Sequence, residues 1–263
     1  MLMNVVLPLT IGLALSSVVM IAIWFVQRRN GNAGIVDVAW AALVGSLGVL
    51  FAAWPAGIPW LRALAGAMIA AWSLRLTVYL YRRVIGHPEE GRYAELRRRW
   101  GDDAAQKFFR FFQMQAVAAW LFAAPILAIS RSATPPRTWY IALAIFVWIV
   151  GIGGVSLADW QLAQFKRRPG TKGRTCRDGL WRYTRHPNYF FEWVHWNSYI
   201  LLATASDFWW APVLVASGLL YLLLFVTGIP PTEAQAIATR GDDYRDYQRT
   251  TSSFFPWPPR AKS

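Results

Sequence analysis

The chain has 263 residues, 56% of them hydrophobic and 16 of them Trp, with a formal charge of +13. That is more apolar than an ordinary soluble domain, and one membrane-embedded domain fits better than two soluble ones. The basic residues fall between apolar runs instead of forming one basic domain, which argues against a nucleic-acid partner. One cysteine, Cys176, excludes an internal disulfide, and three scattered histidines lack metal-ligand spacing, so no metal is expected.

A membrane-crossing helix needs about 20 mostly apolar residues. Seven stretches qualify: about 5–26, 34–54, 60–81, 108–129, 139–157, 189–205 and 208–228. The first has no positive residue before it and Arg28 and Arg29 after it, unlike a signal peptide, which carries its charge in front. Lys and Arg accumulate in cytoplasmic loops. With the N-terminus placed outside, 23 of the 27 basic residues fall on the cytoplasmic side and 3 on the other, leaving Arg75 inside the third helix. The predicted fold is therefore an all-α integral membrane protein of seven transmembrane helices, N-terminus outside and C-terminus cytoplasmic. It forms a single domain over 1–263, with a loop at 159–187 and a cytoplasmic tail at 229–263.

The segment between the third and fourth helices contains GHPEEGRYAELRRRWGDD and reads as a short surface helix. Its Arg97, Arg98 and Arg99 suit contact with anionic lipid. Within the helices, several polar groups are costly in lipid and mark a functional site by default. Asp37 lies near the cytoplasmic end of the second helix. Trp72, Arg75, Tyr79 and Arg82 share one face of the third. An Asp37–Arg75 ion pair locking two helices is the structural alternative to a catalytic role.

The most informative stretch is 178–199, DGLWRYTRHPNYFFEWVHWNSY. Arg182, Arg185, His186 and Asn188 run directly into an apolar segment that still holds Glu192, His195 and Asn197. At helical pitch Asn188, Glu192, Trp196 and Tyr199 fall on one face, with His195 beside it. The preceding loop carries eight basic residues interleaved with Gly170, Gly173 and Gly179, and Asp159 and Asp178 bracket the cluster. Glycines let backbone approach a ligand, and Arg makes bidentate phosphate contacts, so a phosphate-bearing cofactor fits. No G-x-G-x-x-G or G-x-x-x-x-G-K-[ST] run is present, so neither a Rossmann nor a P-loop reading applies.

Asp159 to Lys166, the GLWRYTRHPNYFFE run (179–192), VDVAW, WSLRL and the tail GDDYRDYQRTTSSFFPWPP resemble the bacterial branch of the steroid 5α-reductase family. That branch is a group of unknown function related to sterol reductases, and the likeness spans nearly the whole chain. Isoprenylcysteine and phospholipid methyltransferases share a similar R-H-P-x-Y segment and tail. The resemblance implies a membrane reductase of a carbon–carbon double bond conjugated to a ketone in a lipophilic, steroid-like substrate, with NADPH as donor. It implies a cofactor pocket of Asp159, Lys166, Arg174, Arg185, His186, Asn188, Tyr189, Glu192 and Trp196, with Glu192 on the nicotinamide carboxamide. Arg240, Tyr244 and Tyr247 would close over the dinucleotide. On the substrate side, the Gln-Glu pair and Tyr of animal steroid reductases are replaced by Asp37 and Trp72, leaving Tyr79 and Tyr93 as substitute donors.

The expected reaction is hydride transfer from NADPH to an enone, its carbonyl polarised by neutral Asp37 or by a tyrosine. The rival enzyme is a methyltransferase using S-adenosylmethionine on a lipid or isoprenylated acceptor. S-adenosylmethionine has no phosphate, so the basic loop favours NADPH. A non-enzymatic scaffold or transporter is the third reading, and no repeat symmetry supports it. The expected partners are a lipophilic small molecule and membrane lipid, with no obligatory protein partner. The expected location is the bacterial inner membrane, with the site open to the cytoplasm.

Overall fold

The computed structural model describes residues 3–55, 57–89 and 91–260; the end of the tail, 261–263, lies outside them. The described residues are helical, with no strand. Ten helices follow in order: α1 (Met3–Asn30), α2 (Ile35–Ala53), α3 (Pro59–Val84), α4 (Gly91–Trp100), α5 (Ala104–Ser130), α6 (Thr138–Arg167), α7 (Pro187–Leu202), α8 (Trp210–Tyr221), α9 (Ile229–Arg240) and α10 (Asp242–Thr250). Among them, 6 candidate spans are long and apolar enough to cross a membrane: Val5–Asn30, Ile35–Ala53, Pro59–Val84, Gly91–Ser130, Thr138–Arg167 and Trp210–Arg240. The expected sixth span, 189–205, is the exception. It corresponds to α7, whose 16 residues rise roughly 24 Å against a hydrocarbon core of about 30 Å.

The chain divides into two compact units, Met1–Pro136 with Leu202–Ala211, and Arg137–Leu201 with Pro212–Ser263. In the first, α2 packs against α1, α3 and α5. A Cβ at Gly45 of α2 would lie 2.2 Å from the Ser73 side chain of α3, so only glycine allows this approach. Ser73 then donates to the Ala41 carbonyl at 2.8 Å, which satisfies a buried hydroxyl. Leu47, Phe51, Ala123 and Leu127 form the core where α2 meets α5.

α4 is the short surface helix read from the sequence, and its arginines are engaged by acids. Arg97 pairs with Glu89 at 2.8 Å, and Arg98 and Arg99 pair with Glu95 at 2.6 and 2.7 Å. Arg97 also lies over the Phe108 ring, 4.9 Å from its centroid. The helix carries less free positive charge than its Arg triplet suggests.

In the second unit, α6 and α7 approach closely because α6 carries glycines at the crossing. A Cβ on Gly151 would meet the His195 Cβ at 2.5 Å, and one on Gly154 would meet the Phe191 ring at 2.3 Å. α8 runs into one π-helical turn, Leu222–Val226, where the Thr227 and Gly228 amides both donate to the Leu222 carbonyl. The apolar run ends there. Pro230 and Pro231 open α9, which suits the first helical turn because its amides need no partner in the helix.

Candidate active site

The junction before α7 is built by α9, α10 and the tail. Thr184 and Arg185 lead into Pro187, the first residue of α7. The Arg185 amide donates to the Ser252 carbonyl at 2.8 Å, and the Thr184 hydroxyl donates to the Phe254 carbonyl at 2.9 Å. Phe254 is buried with Leu223 and Ile229, against Tyr189, Phe190 and Trp193. The tail aromatics divide in role: Phe254 plugs the core, while Phe255 and Trp257 remain exposed.

Glu233 of α9 is the centre of this junction. Arg185 donates to it through Nε at 2.6 Å, His186 Nε2 lies 3.2 Å from the same oxygen, and the Tyr244 hydroxyl donates at 3.3 Å. Gln248 donates to the other oxygen at 2.7 Å. Burial alone would raise the Glu233 pKa, but the hydrogen bonds from His186 and Arg185 outweigh it and hold the carboxyl down at about 2. Burial pushes His186 below the usual imidazole range, against the opposing pull of Glu233. Burial pushes Tyr244 up, reinforced by the Glu233 charge, so its phenol stays a neutral donor.

Arg185 is held in place by more than its acid. Its Nη1 donates to the carbonyls of Gln248 at 3.1 Å and Thr251 at 2.5 Å. Nε and Nη1 are thus committed within the protein, and the side chain is largely buried. Beside it, His186 stacks parallel to Tyr189 at 5.3 Å, and the Tyr189 hydroxyl meets Thr232 at 3.0 Å. Asn188 accepts the Tyr189 amide at the start of α7.

A second clasp joins the basic loop to α10. The Thr175 amide donates to Asp243 at 2.7 Å, and Arg177 donates to the Asp243 carbonyl at 2.7 Å. Cys176, between them, is buried, and burial raises its thiol pKa. Tyr247 donates its hydroxyl to the carbonyls of Trp181 and Thr184, and burial pushes its pKa up. Arg240 lies over the Tyr244 ring at 5.6 Å. Tyr247 thus braces the loop, Tyr244 bonds to Glu233 of α9, and both phenols are turned into the protein.

The other expected residues are placed as follows. On α7, Trp196 and Tyr199 are fully buried, and Glu192 Oε1 lies 3.8 Å from His195 Nδ1. That nitrogen lies 2.7 Å from the Glu192 carbonyl, which can only accept, so Nδ1 is the donor. Asp159 and Lys166 sit two turns apart on α6, and Arg174 is exposed in the loop. In the first unit, Asp37 accepts from the Tyr93 hydroxyl at 2.8 Å and from Arg92. The Arg75 guanidinium lies over the Tyr79 ring at 5.8 Å. Sequence reasoning missed Glu233 and Gln248. The available signal was a lone acid just past an apolar run and a Pro-Pro pair, in a segment read as tail.

Among curated proteins, the chain is 32% identical over 85 residues to the "Methanethiol S-methyltransferase" of Mycobacterium tuberculosis (strain ATCC 25618 / H37Rv). The match covers 31% of this chain and 30% of that protein. No solved structure matches. This likeness overturns the expected NADPH-dependent oxidoreductase, its NADPH cofactor, its enone reduction and its steroid 5α-reductase assignment: the named relative is a methyltransferase. The physical reason for the error is visible in the loop. Its eight basic residues were counted as phosphate ligands, but Arg168, Arg177 and Arg185 are engaged by Asp178, Asp243 and Glu233. The proton-donor roles of Asp37, Tyr79 and Tyr93 fall with that reaction. The matching family covers residues 23–251, so the chain belongs to the family described as Protein of unknown function (DUF1295).

Proposed function

We propose that this protein is a membrane-embedded methyltransferase that uses S-adenosylmethionine. The observation that carries the reading is the 32% identity to a methyltransferase. The junction geometry supports it. S-adenosylmethionine presents an α-carboxylate, an α-ammonium and an adenine, with no phosphate. The Arg185 guanidinium suits the carboxylate, the Glu233 carboxylate suits the ammonium, and the stacked His186–Tyr189 pair supplies aromatic surface for the base. When bound, S-adenosylmethionine supplies an electrophilic methyl group. The protein's own share is to fix Arg185 through Glu233 and the tail carbonyls, and to keep Glu233 ionised while His186 stays neutral. The relative's name suggests a small thiol as acceptor, and the apolar residues around Phe254 suit an apolar one.

The same reading includes seven membrane passes. Arg185, just before α7, meets Glu233, just after α8 and its π turn. A chain that leaves along α7 and returns along α8 would bring both to the same side, which supports this reading. The 23-to-3 division of basic residues supports an outside N-terminus and a site facing the cytoplasm of a bacterial cell.

The test is ligand-induced stabilisation in detergent-purified protein, followed by transfer of a labelled methyl group to methanethiol and longer alkyl thiols. Ligand that binds only the folded state raises the melting temperature by mass action. The expected result is a shift with S-adenosylmethionine and labelled thioether product. A protein that S-adenosylmethionine neither stabilises nor supplies with a transferable methyl group is not a methyltransferase.

A further inference from the structure

We infer that the outer face of the C-terminal tail is a binding strip for anionic membrane lipid, and that lipid held there tightens the Arg185 junction on its inner face. The tail runs beside the 183–185 segment. The Trp257 amide donates to the Tyr183 carbonyl at 2.9 Å, and the Arg185 amide donates to Ser252. This pairing brings Arg182 and Tyr183 from the junction beside Phe255 and Trp257 from the tail, and the tail continues to Arg260, whose amide donates to the Thr250 carbonyl at 2.9 Å. All five are exposed, with Phe255 at 55% and Trp257 at 71%.

Two features name the occupant. First, the charge is free. No carboxylate among the described residues neutralises Arg182 or Arg260, in contrast to Arg177 and Arg185 nearby. Second, exposed Tyr, Phe and Trp with arginines are the composition that settles at headgroup depth, rings toward the acyl boundary and cations toward phosphate. A soluble anion would be recognised by the arginines but gives the rings nothing to cover them. The strip therefore fits a phosphatidylglycerol-like anionic lipid. Each arginine near such a surface favours it by about fivefold.

The consequence for the site follows from the backbone. Thr251, Ser252 and Phe254 present carbonyls to Arg185 and Thr184, while the Phe255 ring, edge-on to Phe190 and Trp193 of α7, and the Trp257 ring keep more than half of their surface exposed. Pro256, Pro258 and Pro259 stiffen the segment between them. Lipid that immobilises the outer residues restricts the same segment that holds Arg185. This inference does not depend on the methyltransferase reading.

The experiment is hydrogen exchange of the full chain in nanodiscs of phosphatidylcholine alone or mixed with phosphatidylglycerol, read at peptides covering 183–186 and 250–257. The expected result is slower exchange, roughly threefold or more, in the anionic discs. The Arg182→Gln/Arg260→Gln double variant loses that dependence, and Arg182→Lys/Arg260→Lys keeps it. Both positions are exposed, and the neutral-disc exchange of each variant verifies its fold. Equal exchange of the wild type in the two compositions overturns the inference, as does a lipid dependence that survives the Gln variant. Pyrophosphate added to neutral discs is expected to have no effect. Protection by pyrophosphate equal to that by lipid would make the strip a soluble-anion site and overturn the lipid assignment.

Discussion

Glu233 accepts from Arg185, His186, Tyr244 and Gln248, so its removal leaves four donors to rearrange and a guanidinium uncompensated. Breaking one partner of a largely buried ion pair costs about 3 kcal/mol or more. Glu233→Gln should therefore lower the melting temperature and weaken S-adenosylmethionine binding by at least about tenfold, measured by thermal unfolding and ligand titration of the same preparation. Arg185→Lys keeps the charge but loses the fork, and should weaken binding more than it lowers stability. Acid should also act here. The folded-state pKa of His186 is depressed, so below the usual imidazole range the unfolded chain takes up a proton that the folded chain refuses. Stability from this residue is full at neutral pH and declines as pH falls from about 6.5. The Glu233 contribution is present above the ordinary carboxylate range and is lost as pH falls toward about 2. Thermal unfolding across this window should slope downward toward acid, and His186→Gln should flatten its upper part.

At the scale of elements, the α6–α7 crossing is set by the absence of side chains. A methyl group at Gly151 has no room beside His195, whose own backbone nitrogen lies 2.7 Å from the ideal Cβ. Gly151→Ala should cost about 1–3 kcal/mol, or shift α7 enough to impair ligand binding; the melting temperature and ligand titration of the variant read the two effects. Such a contact could not be read from the sequence, because GIGG inside an apolar run looks like any other small-residue stretch. The helices themselves were legible: long apolar runs forecast α1, α2, α3, α5 and α6, and RHPNY marked the start of α7. Glu233 was not, because its partners lie 48 and 47 residues earlier and its own neighbours are Pro, Thr and Ala. The basic loop misled for a related reason. A count of arginines does not reveal which ones already have an Asp or Glu partner, and here three of them do.

At the scale of the molecule, two families of expectation separated. The membrane character followed from composition, since a 56% hydrophobic chain with long uncharged runs has few other folds open to it. The chemistry did not, because reductase and methyltransferase readings share the same R-H-P-x-Y junction and differ in what the surrounding cations are free to hold. The clasp around Cys176 has a practical outcome. It places the chain's one thiol between two residues that Asp243 secures, buried and poorly ionised. A thiol-directed dye should therefore react only when the loop parts from α10, and its rate becomes a clock for that opening. The clock should run slower when ligand closes the junction and faster in Asp243→Asn, with no label to introduce and no second cysteine to remove.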